Sequence, residues 1–335
     1  MLFEYLSLLG GLVVLIVAGD ILVRGSVGVA QKLGIPSLVI GLTIVAFGTS
    51  APELVISLQA GLEGSGGIAI GNVVGSNIAN VLLVLGLPAL IAATPCGEDG
   101  ATRTAVFMVA VSAVFIALCF YMTPLGMAAA VVLLALLAAF LGAQAFEAMK
   151  HRKELKQKAA DREAGTTECE DDPLEEVEGV PDAMGIALVY IALGLVGLPL
   201  GAHFTIEGAT AVAESWGVSD AVIALTVIAL GTSLPELATT VMAAIRQQGA
   251  VAIGNVIGSN IFNLLAIIGI TTAIVPLEVP AEILKLDIWV MLGCAVLLLG
   301  LAGFRITLGK ATGFALTVAY CAYIYAVYSL SITSA

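Results

Sequence analysis

Ten apolar runs of about 20 residues or more follow one another along the chain, over roughly 2–32, 36–62, 67–92, 103–121, 124–149, 183–213, 219–246, 250–277, 284–302 and 307–331. Each is long enough to cross the hydrocarbon core of a bilayer as a helix. The main polar interruption runs from His151 to Asp182, basic at its start and acidic around Glu168–Glu178. The pattern predicts an all-α polytopic membrane protein in two units. Residues 1–150 hold helices 1–5, and residues 183–335 hold helices 6–10. Residues 151–182 form a charged loop, expected to be mobile and solvated, with a short helical extension of the fifth helix at its start.

Composition agrees with lipid as the solvent. Of 335 residues 60% are hydrophobic and 11% charged, with a mean hydropathy of +1.08. A soluble domain carries about 25% charged residues, and this chain has too little polar surface to face water all round. The net charge of -12 is not a property of the whole chain, since eleven of the 25 acidic residues lie between Glu154 and Asp182. No basic footprint for nucleic acid exists. The first apolar run has no basic segment before it and is longer than a signal peptide, so it is taken as the first membrane helix. Cys96, Cys119, Cys294 and Cys321 sit in or near apolar runs, where cysteine packs as a small hydrophobe. Cys169, in the charged loop, is expected to be a free thiol.

An internal repeat carries more information. A shift of 183 lays Gly41–Gly86 on Ala224–Gly269 without a gap, with 23 of 46 positions identical. Gly48–Leu54 (GTSAPEL) falls on Gly231–Leu237 (GTSLPEL), and AIGNVVGSNIAN (69–80) on AIGNVIGSNIFN (252–263). Five helices per repeat is an odd number, so the second copy must enter the membrane from the opposite side. Positive charge tests this. With the N-terminus outside, Arg24, Lys32, Arg103, Lys150, Arg152, Lys153, Lys156, Lys158, Arg162, Arg246, Arg305 and Lys310 all fall on or toward the cytoplasmic side, and Lys285 falls outside. This agrees with the positive-inside rule and places the 151–182 loop in the cytoplasm of a cell (inner) membrane protein.

Helices 2 and 7 are predicted to be broken. Pro52 has no N–H, so the carbonyl of Gly48 loses its helical partner. Backbone opened at membrane depth is tolerated only where it is buried in protein or lines a cavity. Thr49 and Glu53 are four apart and share a face. Threonine hydroxyl, carboxylate and freed carbonyl are all oxygen ligands, the set that hard cations prefer. The second copy supplies Thr232, Ser233, Pro235 and Glu236. A proline alone implies no more than a kink, but an ionised glutamate at mid-membrane costs at least a few kcal/mol, and here are two in equivalent positions. On the facing helices Asn72, Ser76 and Asn80 form one polar stripe, repeated by Asn255, Ser259 and Asn263. Gly71, Gly75, Gly254 and Gly258 would let those helices approach the broken ones closely. Asp20 and Arg24, four apart, are expected to pair. His203 and Glu207 are assigned structural or gating roles, and a lone histidine makes a poor transition-metal site.

GTSAPE and GTSLPE, each followed by GNVxGSNxxN, resemble the two alpha repeats of the cation/Ca2+ exchanger superfamily, and the closest branch is the prokaryotic Na+/Ca2+ exchanger type. The resemblance covers nearly the whole chain. It implies four ion sites in a diamond between helices 2, 3, 7 and 8. Glu53 and Glu236 would ligate Ca2+ with Thr49 and Thr232. The carbonyls of Ala46 and Ala229, with Ser50, Ser76, Ser233 and Ser259, would form flanking Na+ sites. Asn80 and Asn263 would complete the middle, and helices 1 and 6 would slide as the gate. Some members carry Asp where this chain has Asn263, and acidic residues there accompany K+ co-transport, so Asn263 argues against K+ dependence. Proton-driven exchangers more often read GNxxE, which favours Na+ as the coupling ion.

The expected function is therefore secondary active antiport of Ca2+ against Na+. An H+-coupled or broader divalent-cation exchanger is the alternative, and a cation channel the competing class. No nucleophile–base constellation or HExxH motif points to an enzyme, and no cofactor is implied beyond the transported ions. Lipid is the expected partner, and a monomer would suffice.

Overall fold

The computed structural model describes residues 2–163, 179–217, 227 and 229–334. Its long elements are α1 (Leu2–Leu33), α2 (Ser37–Thr49), α3 (Ala51–Leu62), α4 (Gly66–Ile91), α5 (Ala101–Tyr121), α6 (Met127–Glu163), α7 (Met184–Ser215), α8 (Leu234–Ile245), α9 (Gly249–Ile274), α10 (Asp287–Gly303) and α11 (Lys310–Ser334). Among the described residues α1, α4, α5, α6, α7, α9 and α11 are long and apolar enough to cross a membrane, and the bent pair α2–α3 adds an eighth span. The apolar helices α8 and α10 are shorter.

The second apolar run is not one helix. It stops at Thr49, restarts at Ala51 and turns by 44° between them. Ser50 at the joint has φ -84° and ψ 6°, and Pro52 sits in the first two positions of α3. There a proline costs nothing, because the first N–H groups of a helix have no partner to lose. The break thus falls just before the proline. The second copy repeats it: a helical turn Ala229–Gly231 is followed by Ser233 at φ -86°, ψ 5° and by α8, with Pro235 in its first turn. The beginning of the predicted seventh helix, 219–226 and 228, lies outside the described residues. So do Glu168–Glu178 and Cys169 in the charged loop.

The expected helical extension of the fifth run is present, and the start of the ninth run differs from expectation. α6 continues to Glu163, through much of the basic start of the 151–182 segment. Lys, Glu, Gln, Arg and Ala there are strong helix formers, Lys150 and Glu154 lie 3.8 Å apart at i,i+4, and the His151 ring is 3.1 Å from the Gly34 carbonyl oxygen. The ninth run begins with a separate short helix, Ala281–Lys285, before α10.

α4 and α9 form the centre. The most apolar stretch of α9 is 100% buried and that of α4 78%, against 17% for α11. α2 packs on α9, α3 on α4, and α8 on α9 and the end of α4. α11 covers the end of α4 as α6 covers the end of α9. Cys96, Cys119 and Cys294 are buried and free, as packing residues. Two short strands, β1 (Thr94–Pro95) and β2 (Thr307–Leu308), pair antiparallel with Thr94 opposite Leu308. Leu125 and Leu277 form an isolated antiparallel bridge. The repeat shift carries Thr94 onto Leu277 and Leu125 onto Leu308, so these are one contact made twice. α5 runs between Thr94 and Leu125, which puts the two ties at opposite ends of that helix.

α1 and α7 pack against each other along their length, backbone to backbone. A Cβ on Gly208 would stand 2.5 Å from the Leu8 nitrogen, and one on Gly201 2.9 Å from the Leu15 nitrogen. Small residues are how membrane helices gain van der Waals contact, since lipid is as apolar as they are. Gly208→Ala is expected to destabilise the protein by about 1–3 kcal/mol, the usual cost of overpacking. Gly142→Ala, where a Cβ meets nothing, should leave it unchanged or slightly raised. Thermal unfolding of the purified protein in detergent measures both.

Candidate ion-binding site

The breaks in the second and seventh runs place Glu53 and Glu236 in the first turns of α3 and α8. Backbone N–H groups are unsatisfied in a first turn, and the helix dipole favours negative charge there. Both glutamates are buried, 1% exposed. Neither has a Lys or Arg ion pair among the described residues. The Glu236 carboxylate is held by a neutral group from the opposite repeat. Ser50 does not cap α3. Its hydroxyl donates to Glu236 Oε1 across the repeats, at 3.1 Å.

The polar stripes of α4 and α9 face these breaks. The Asn72 amide donates to the backbone carbonyl of Glu53 at 3.3 Å and to Ser57 Oγ at 2.9 Å. The Asn255 amide donates to the carbonyl of Glu236 at 3.3 Å and to Thr240 Oγ1 at 3.0 Å. These are one pair of bonds made twice. The break at Ser50 falls between Thr49 and Glu53, so the two do not lie on one continuous helix as their spacing assumed, and the Thr49 hydroxyl crosses to α9, 3.2 Å from Asn255 Oδ1 and 3.4 Å from Ser259 Oγ. The Ala46 carbonyl accepts from the Ser50 N–H at 3.1 Å and from the Thr49 hydroxyl at 3.3 Å. Ser76, Ser233, Ser259, Asn80, Asn263 and Thr232 are all buried. Ala229 is described as helix, and its side chain lies outside the description.

Asn80 and Asn263 each open a π-helical turn, Asn80–Val84 and Asn263–Ile267. Such turns widen a helix and recur at functional sites. Their amides are held by two asparagines one turn earlier. Asn80 donates to Asn260 Oδ1 at 3.1 Å and Asn263 to Asn77 Oδ1 at 3.0 Å. What remains is a set of buried oxygens with no hydrogen-bond partner: Glu53 Oε2, Glu236 Oε2, Asn80 Oδ1, Asn263 Oδ1 and Ser233 Oγ. Buried polar atoms are nearly always satisfied. Five of the unsatisfied buried oxygens thus come from the two repeated motifs, and oxygen is the ligand type that hard cations take.

Gly254 and Gly258 behave as their spacing predicts. A Cβ on Gly254 would stand 2.8 Å from the Leu38 carbonyl oxygen, and one on Gly258 2.7 Å from that of Leu42. For Gly71 and Gly75 most of the equivalent partners fall outside the described residues. The glycines of the two GTS motifs serve another contact. A Cβ on Gly48 would collide with Leu195, and one on Gly231 with Ile206, so α7 rests on both breaks. Asp20 pairs with Arg24 at 2.6 Å, as expected, and its other oxygen accepts from Arg246 Nε at 2.8 Å. That second bond, tying α1 to the end of α8, has no sequence signal. His203 and Glu207 are largely exposed, 3.9 Å apart. Ser57, Thr240, Asn77 and Asn260 are the partners that spacing did not single out for the site, although the Ser-Asn pairs of GSNIAN and GSNIFN mark the last two.

Comparison with known proteins agrees. The model of the sodium/calcium exchanger protein family matches residues 3–146 and 186–329. The putative antiporter CaxA of Alkalimonas amylolytica is 34% identical over 98% of this chain and 100% of its own length. The sodium/calcium exchanger MaX1 of Methanosarcina acetivorans is 34% identical over 88% of this chain and 90% of its own. Among solved structures, the sodium-calcium exchanger NCX_Mj soaked without Na+ and Ca2+ superposes with a TM-score of 0.79 at 27% identity, over 97% of this chain and 99% of that one. With its membrane-spanning helices, its duplicated motifs and this match on both halves, the chain belongs to the sodium/calcium exchanger family, in its prokaryotic type.

Proposed function

We propose that this protein is a secondary active antiporter that exchanges Ca2+ for Na+ by alternating access, with Glu53 and Glu236 as the central ligands. The observation that carries this is the set of unsatisfied buried oxygens contributed by both repeats. Thr49 and Thr232 complete the Ca2+ position. Ser50, Ser76, Ser233 and Ser259 serve Na+ with the carbonyls of Ala46 and Ala229, and Asn80 and Asn263 close the middle. To take an ion, the Ala46 carbonyl gives up its long bond to the Thr49 hydroxyl.

The architecture is ten helices in two inverted five-helix repeats, 1–150 and 183–335, joined by a cytoplasmic segment at 151–182. The N-terminus lies outside the inner membrane. The paired ties at opposite ends of α5 support inversion, since a symmetry that exchanges the two ends of a helix has its axis in the membrane plane. The positive-inside count supports the orientation. A single chain supplies both halves of the site, so a monomer suffices.

Charge explains why exchange is coupled. Two ionised carboxylates make a site of charge -2, expensive to bury when empty. One Ca2+ or two Na+ neutralise it. Loaded forms can then pass through an occluded state, and the empty form is held back by its own charge. α1 and α7 form the moving pair. They are packed on each other through glycine, and α7 rests on both breaks through Leu195 and Ile206.

Glu53→Gln and Glu236→Gln are each expected to abolish Na+-driven Ca2+ uptake into vesicles, and wild-type transport by either variant would remove the assignment. For the coupling ion, 45Ca2+ uptake into proteoliposomes under imposed Na+, K+ or H+ gradients is expected to follow Na+ alone. Uptake driven by a pH gradient and indifferent to Na+ would assign the protein to proton coupling.

A further inference from the structure

The side chains of Asn80 and Asn263 bring an ambiguity that the glutamates do not. An amide presents oxygen on one side and N–H on the other, in nearly the same shape. Turned one way it binds a cation, and turned the other it repels one. Something must decide which side faces the carboxylates.

We propose that Asn77 and Asn260 are positioning residues that make this choice, each for the ion-facing asparagine of the opposite repeat. The argument starts outside the site. The Asn77 amide nitrogen is 3.2 Å from the backbone carbonyl oxygen of Asn260. A carbonyl only accepts, so Asn77 must point its NH2 there. Its Oδ1 then lies on the other side, 3.0 Å from Asn263 Nδ2. An oxygen there requires the NH2 of Asn263, and this leaves Asn263 Oδ1 turned away, buried and unpartnered. The second chain of contacts runs the same way. Asn260 Nδ2 is 3.6 Å from the Met108 sulfur, and a thioether has no proton to give. Asn260 Oδ1 accepts from Asn80 Nδ2 at 3.1 Å, and Asn80 Oδ1 is left buried and unpartnered.

Each relay therefore begins at a group that cannot donate and ends at a free carbonyl oxygen. Flipping either terminal amide sets oxygen against oxygen at the bridging asparagine and turns N–H groups toward the cations. The relays also cross. Asn77 on α4 orients Asn263 on α9, and Asn260 on α9 orients Asn80 on α4, so each repeat sets the polarity of the other. Both amides reach the site as oxygens without adding charge to it.

This inference rests on the ion-site assignment above, and a double-mutant cycle tests it separately. The quantity measured is the half-saturating Na+ concentration. It is read from Na+-driven 45Ca2+ flux in proteoliposomes and, independently of flux, from Na+-dependent thermal stabilisation of the purified protein. Asn77→Ala is expected to raise it up to about tenfold, the upper end for one neutral hydrogen bond, with the maximal rate nearly kept. In an Asn263→Asp background the same Asn77→Ala change should raise it by less than about twofold, because a carboxylate carries oxygen on both sides and cannot be misdirected. Asn260→Ala with Asn80→Asp forms an independent second cycle. Where an alanine variant does not fold, Asn77→Leu or Asn260→Leu, closer in shape to asparagine, takes its place. Equal losses in both backgrounds, or no loss with Asn263 and Asn80 intact, would show packing alone and overturn the proposal. Neither result would touch the ion-site assignment, which stands or falls with Glu53→Gln and Glu236→Gln.

Discussion

Two carboxylates buried in a protein solvated by hydrocarbon set the terms for everything around them. Charge at membrane depth is costly, and no Lys or Arg is paired with Glu53 or Glu236 among the described residues. The compensation comes from neutral parts. Each glutamate sits in the first turn of a half-helix, where backbone N–H groups and the helix dipole favour negative charge. Ser50 donates to Glu236, and Asn72 and Asn255 hold the backbone carbonyls of the two glutamates. This arrangement lowers the cost of the charges without cancelling it, and the proposed cations would supply the remainder.

The broken helices follow from the same constraint. An unbroken helix offers its carbonyls to itself and its first-turn amides only at the membrane surface. Stopping at Thr49 and restarting at Ala51 moves a helix terminus into the interior. The polar backbone this exposes must be enclosed by protein. α4 and α9 supply that enclosure with their asparagine stripes, and Gly254 and Gly258 let α9 come against α2 closely enough to do so. α7 closes the other side, lying over Gly48 and Gly231. Duplication then provides the second half of the site at the same shape, and most of the important hydrogen bonds join one copy to the other.

The symmetry has limits. Ser50 bonds Glu236, while its counterpart Ser233 has no partner. Asp20 holds both Arg24 and Arg246, a link between α1 and the end of α8, whereas the repeat-equivalent of Asp20 is His203, exposed beside Glu207. The two copies thus differ both at the serines of the GTS motifs and at the ion pair that joins α1 to α8.

Much of this was legible in the chain itself. Apolar runs located the helices because lipid leaves no other way to satisfy the backbone. The exact 183-residue shift identified Glu53, Glu236 and the two stripes, because polar residues inside membrane helices are too costly to persist without use. Sequence was weaker where the answer depended on a partner distant in the chain. Nothing in local spacing joins Ser50 to Glu236, Arg246 to Asp20 or Asn77 to Asn263, for these bonds exist only once the two repeats interlock. The π-helical turns at Asn80 and Asn263 and the paired ties at Thr94–Leu308 and Leu125–Leu277 belong to the same class. Residue type determined which oxygens are present in the membrane. Tertiary structure decided which of them are spent on each other and which remain free, because a hydrogen bond is settled by the position of its second atom.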